Sequence, residues 1–138
     1  MANNIKNNKN SLYNNIYGED KGILELTLKD FNYKDKKLYI NNEYFSRNKG
    51  LIVFYSPLCK HCNKISELLI TIALSHLNIF SIGSVNSENI NEGNDYLCSY
   101  ANITKFPTIK YITDDGVLLD YPHSYNIDNF IYYININI

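Results

Sequence analysis

Apolar and polar positions alternate from Ile23 to Leu28, with Ile23, Glu25 and Thr27 on one side and Leu24, Leu26 and Leu28 on the other, the pattern of a half-buried strand. Leu51-Ile52-Val53-Phe54-Tyr55 is instead an unbroken apolar run between Gly50 and Pro57, which predicts a central strand covered on both faces. Beyond Pro57, apolar residues return at Ile65, Leu68, Leu69 and Ile72, the spacing of a helix with one buried face. Phe80 to Val85 reads as a second buried strand, and Tyr96 to Ala101 as a short helix turning Leu97 and Cys98 to the core. Thr108 to Thr113 and Val117 to Tyr121 alternate as strands, and Asp114-Asp115-Gly116 between them is a hairpin turn signal. A last helix from about Ile127 through Ile134 follows a cap at Asn126 or Asp128. From Asn32 to Asn48 the pattern is mixed: Leu38-Tyr39-Ile40 fits a short strand and Glu43-Tyr44-Phe45 the end of a helix. Strands alternating with helices, then a hairpin and a final helix, predict an α/β fold with a central mixed sheet flanked by helices.

A chain of 138 residues suits one domain with a sizeable core. Residues 1–21 are polar, Asn-rich and without apolar period, so they are expected to form a flexible arm, with the domain running over 22–138. The abundance of Asn, Ile, Lys and Tyr matches AT-rich codons and needs no functional cause. Thirteen basic and 14 acidic residues are spread evenly, which argues against a nucleic-acid or membrane-surface partner. No apolar run approaches the ~20 residues of a membrane span, and no leader pattern opens the chain. The expected location is therefore the cytoplasm, or a virus particle assembled there.

Two of the three cysteines form Cys59-Lys60-His61-Cys62, which directs attention to redox or metal chemistry. The pair falls where the helix after Pro57 begins. There, unpaired N–H groups and the helix dipole favour a thiolate, and Lys60 and His61 add positive charge beside it. Cys62 lies one turn on, on the same side, placed to attack a mixed disulfide formed at Cys59. On this pattern Cys59 is the nucleophile and Cys62 the resolving thiol. The metal alternative is half a zinc site, which needs two further ligands; Cys98, His76 and His123 are isolated, so no metal site is expected. Cys98 reads as a buried inert thiol, against a regulatory or dimer-forming one.

The run Val53-Phe54-Tyr55-Ser56-Pro57-Leu58-Cys59-Lys60-His61-Cys62, followed by Phe106-Pro107-Thr108, a hairpin and a helix, resembles the thioredoxin superfamily over about residues 23–134. Tyr55-Ser56-Pro57, His61 and Leu97-Cys98-Ser99-Tyr100 are similar to protein disulfide isomerase-type domains. The resemblance implies a thioredoxin fold, a cis Pro107 facing the cysteines, and a Phe106 backbone that pairs with an extended substrate segment. It implies a thiol-disulfide oxidoreductase acting on protein disulfides, with no cofactor beyond the redox-active Cys59-Cys62 pair. A reductase or a flavin-dependent sulfhydryl oxidase would reset the couple.

Three positions depart from the family pattern. Val53 stands where a buried acid relays a proton to the second cysteine, so proton transfer from Cys62 is expected to be slower or handled by water. Leu58 replaces a Trp, and Glu67 a helix-kinking Pro. Lys60 replaces a Gly and should favour the reduced pair, giving a more oxidising couple. The Val53 departure also supports the alternative of a binding or structural module of the same fold, such as a virion component, with little turnover.

Overall fold

The computed structural model describes residues 15–45, 50–77 and 79–137. Its main sheet has five strands in the order β1, β5, β4, β6, β7, where β1 is Ile23–Leu26, β4 Gly50–Tyr55, β5 Ser81–Asn86, β6 Thr108–Ile112 and β7 Leu118–Asp120. β1, β5 and β4 run parallel, β6 runs antiparallel to β4, and β7 runs antiparallel to β6. Three helices cover it: α1 (Lys60–Ser75), α2 (Asn94–Tyr100) and α3 (Ile127–Asn137). This is the thioredoxin fold.

Every residue of β4 and β5 is buried, because alternate side chains enter two separate cores. On one face, Leu51, Val53 and Tyr55 pack with Cys62, Ile65, Leu69 and Ile72 of α1 and with Phe130, Tyr133 and Ile134 of α3. On the other, Ile52 and Phe54 pack with Leu97 and Cys98 of α2 and with Phe31 and Leu38. β1 is correspondingly not half-buried. Ile23 and Leu26, on opposite faces, are both closed off, and the strand ends at Leu26 because Thr27 turns away with its N–H on the Asp30 carboxylate, 2.9 Å.

The mixed stretch resolves into a hairpin of β2 (Phe31–Lys34) and β3 (Lys37–Ile40), with Asp35 and Lys36 both at positive φ as a tight two-residue turn requires. The expected strand at Leu38-Tyr39-Ile40 is thus β3, and Glu43–Phe45 is a single 3₁₀ turn rather than a helix end. The end of that stretch, 46–48, lies outside the described residues. A Tyr39–Val117 bridge and an Ile40 N–H bond to the Gly116 carbonyl, 2.9 Å, tie this hairpin to the edge of the main sheet. The Asp114-Asp115-Gly116 turn has Gly116 at φ 84°, and Asn126 caps α3 through Asn129 N–H, 2.9 Å.

Residues 1–14 of the expected arm lie outside the described residues. Its last part is a correction: Tyr17 is only 3% exposed and Glu19–Lys21 forms a 3₁₀ turn, so packed structure begins before residue 22. An aromatic side chain seated on Tyr55 outweighs the polar composition around it.

Candidate active site

The turn ahead of α1 sets the cysteines in place. Ser56-Pro57-Leu58-Cys59 closes as a β-turn with Cys59 N–H on the Ser56 carbonyl, 3.0 Å, and proline occupies the position whose φ it pre-sets. Cys59 is the N-cap of α1, with extended backbone, and Cys62 lies one turn inside. Cys59 is partly exposed; Cys62 is fully buried. Both are free thiols.

Their environments push them apart. Desolvation tends to raise the Cys59 thiol, but the Cys62 thiol and the backbone N–H groups of Cys62 and His61 outweigh it, so its pKa falls below the ordinary value. Burial pushes Cys62 up to about 12, and its hydrogen bond to Cys59 adds to the rise. A low-pKa exposed thiol beside a high-pKa buried one suits an attacking and a resolving sulfur. The side chains of Lys60 and His61 are exposed, and the lowering at Cys59 comes from backbone and Cys62 groups.

Phe106 and Pro107 join the pair from the other side. The Phe106-Pro107 peptide is cis, and the Cys59 thiol donates to the Phe106 carbonyl at 3.5 Å. Beside them His61, Lys64, Ile65, Leu68, Pro107 and Tyr125 line an open groove of about 290 Å³. Tyr125 is held there by the Ile109 N–H, 2.7 Å from its hydroxyl, a role its sequence position does not signal. Leu58, 76% exposed next to Cys59, extends the apolar rim.

The other cysteine and histidines stay apart from this centre. Cys98 packs in the opposite core, where burial pushes its thiol up to about 11. His76 Nδ1 pairs with the Ile72 carbonyl, 2.8 Å, and His123 packs edge-on to Tyr121. Among the described residues no group of three or more His, Cys, Asp or Glu gathers to hold a metal ion, and no helix is long and apolar enough to cross a membrane. Sequence reasoning missed Glu25, a half-buried carboxyl on the sheet face under α1, the face that carries Cys62.

The family model for thioredoxin matches residues 26–135. A protein disulfide-isomerase of Saccharomyces cerevisiae is 33% identical over 115 residues, covering 83% of this chain and 32% of the relative. One of Datisca glomerata is 29% identical over 131 residues, 90% of this chain and 24% of the relative. The chain thus spans a third or less of the length of these relatives. In solved structures, the J-Trx1 fragment of ERdj5 superposes with a TM-score of 0.65 at 20% identity, over 88% of this chain and 54% of that one. The first thioredoxin domain of mouse protein disulfide-isomerase A4 gives 0.61 at 19%, over 87% and 83%.

Proposed function

Because the chain belongs to the thioredoxin family, of the protein disulfide isomerase type, we propose that it is a thiol-disulfide oxidoreductase acting on protein disulfides. The observation that carries this is the opposite displacement of two thiols one helical turn apart. Cys59, reachable and the more readily ionised of the two, attacks a substrate disulfide as its thiolate. Cys62, protonated and buried, then displaces the substrate from the mixed disulfide. The two electrons come from the cysteine pair itself, so the reading calls for no bound cofactor. The Phe106 carbonyl and the groove at Pro107 would align an extended substrate segment, with Leu58, Ile65 and Leu68 favouring apolar neighbours of the substrate sulfur. Lys60 and His61 tune the thiolate, and a cellular reductase or sulfhydryl oxidase resets the couple.

The test is a Cys62→Ser variant mixed with a peptide disulfide. The reading expects a stable mixed disulfide at Cys59, seen by intact mass, which the parent chain resolves and a Cys59→Ser variant does not form. A reversible pair with negligible turnover on protein substrates would favour the binding-module alternative.

A further inference from the structure

Glu25, Ser84 and Val53 form one row across three adjacent strands. Glu25 pairs with Ser84 and Ser84 with Val53, so the carboxyl side chain and Val53 share the face under α1. Two strand spacings, about 9 to 10 Å, separate their backbones. Glu25 Oε1 accepts hydrogen bonds from the Tyr55 hydroxyl, 2.7 Å, and from Ser84 Oγ, 2.8 Å, and the Tyr17 backbone N–H also bonds the carboxylate. The Tyr55 hydroxyl in turn accepts from Ile16 N–H at 3.3 Å.

Tyr17 lies beside this carboxyl and in the same core as the cysteine. Its ring packs edge-on against Tyr55 with centroids 5.1 Å apart, in the same core as Cys62, and its phenol feels both the Cys62 sulfur and the Glu25 carboxylate. The Tyr17 hydroxyl is buried and has no hydrogen-bond partner among the described residues, Glu25 and Cys62 included, so its proton is not committed elsewhere and the hydroxyl must shift to bridge the two. The titratable and charged groups around Glu25 are Tyr55 from β4, Tyr17 from the segment ahead of β1 and, beyond Tyr17, Cys62 from α1. Lys21, on that same segment, has its ammonium on the Ile16 carbonyl, 3.0 Å.

A fully buried thiol is a poor nucleophile until a base takes its proton. Val53, 1% exposed and apolar, supplies no base. We infer that Glu25 takes and returns the Cys62 proton during the resolving step, acting through Tyr17, as a positioning residue supplied from the neighbouring row of the sheet. The inference rests on the oxidoreductase reading above, and Glu25 lies one residue outside the stretch that the family model matches.

The step balances. With Cys59 joined to substrate, the Tyr17 hydroxyl shifts to bridge Cys62 and Glu25, passes its proton to the Glu25 carboxylate and receives that of Cys62. The Cys62 sulfur then bonds to Cys59 Sγ as the bond from Cys59 to the substrate sulfur breaks. The electron pair leaves on the substrate sulfur, which takes a proton from solvent. The dithiol loses two electrons and the substrate disulfide gains them. Burial pushes Glu25 up to about 7, with the Tyr55 and Ser84 bonds restraining the rise, so both of its protonation states are populated at neutral pH.

The experiment is rapid-quench mass spectrometry of the whole reduced chain with a peptide disulfide, following mixed-disulfide formation and its resolution separately across pH. The parent should resolve with a rate that inflects near pH 7. Glu25→Gln should lose that inflection and slow resolution at least about tenfold, while formation at Cys59 changes less than about twofold. Glu25→Asp should recover part of the rate, and Tyr17→Phe should slow resolution without slowing formation. Resolution by Glu25→Gln at the parental rate overturns the inference, as does a parental profile with no inflection near pH 7, which needs no variant. A parent that forms no mixed disulfide sinks the oxidoreductase reading, and this inference with it.

Discussion

The Cys59 thiol donates to the carbonyl oxygen of Phe106 at 3.5 Å, across 47 positions of sequence. A thiolate has no proton to donate, so ionisation of Cys59 releases that carbonyl. On the proposed reading, the event that arms the nucleophile also frees the backbone that receives the substrate segment.

The two active-site thiols should therefore separate in a reactivity profile. Thiolates alkylate and thiols do not, so a lowered pKa moves the rise in rate to lower pH. Cys59 is expected to alkylate with an inflection below the ordinary thiol value, and Cys62 to lag throughout the neutral range, read by peptide mass spectrometry after iodoacetamide pulses. Coincident inflections for the two would contradict the environments described.

Glu25 should leave a mark on stability as well as on rate. Its carboxyl is raised from 4.5 to about 7 on folding, so between those values the folded chain binds more protons than the unfolded one. Stability from this group is therefore fully present below pH 4.5 and is lost as pH rises through 7, by on the order of 3 kcal/mol. Urea unfolding at pH 4.5 and pH 8 should show parent and Glu25→Gln diverging at the higher pH, with the variant gaining relative to the parent. A constant difference between the two would place the carboxyl at its ordinary value.

Cys98 is expected to behave as core. Its burial and raised pKa predict that folded, reduced protein alkylates there far more slowly than at Cys59, and that Cys98→Ala exchanges disulfides at the parental rate. Labelling of Cys98 as fast as Cys59 would show a thiol exposed by opening of α2. Denaturant should abolish the protection at Cys98.

Local pattern made much of this arrangement legible. The apolar run at Leu51–Tyr55, the helix spacing after Pro57 and the turn at Asp114-Asp115-Gly116 each express a short-range rule, and each element stands where its rule puts it. Hairpin β2–β3 was hidden because its turn uses Asp35 and Lys36, without the glycine that usually announces positive φ. Tyr17 and Glu25 were hidden for a different reason. A single tyrosine in an Asn-rich stretch has no period, and a Glu alternating with leucines reads as the wet side of a strand. Only the register of β1 on β5 and of β5 on β4 brings that carboxyl under α1.

Lys60 offers a test of tuning from the exposed side of the centre. A cation next to Cys59 stabilises the thiolate, which exists only in the reduced pair, so it should shift the couple toward reduction and raise its potential. Lys60 is exposed and solvent screens its charge, so the shift should be modest, on the order of 10 mV. Equilibration of parent and Lys60→Gly in glutathione buffers, with trapping of free thiols, is expected to give the lower potential for the variant. The difference should shrink at high salt, because a screened charge is its source. A variant no lower than the parent would mean that the backbone N–H groups and Cys62, which already hold the Cys59 thiol down, set the couple without help from the side chain.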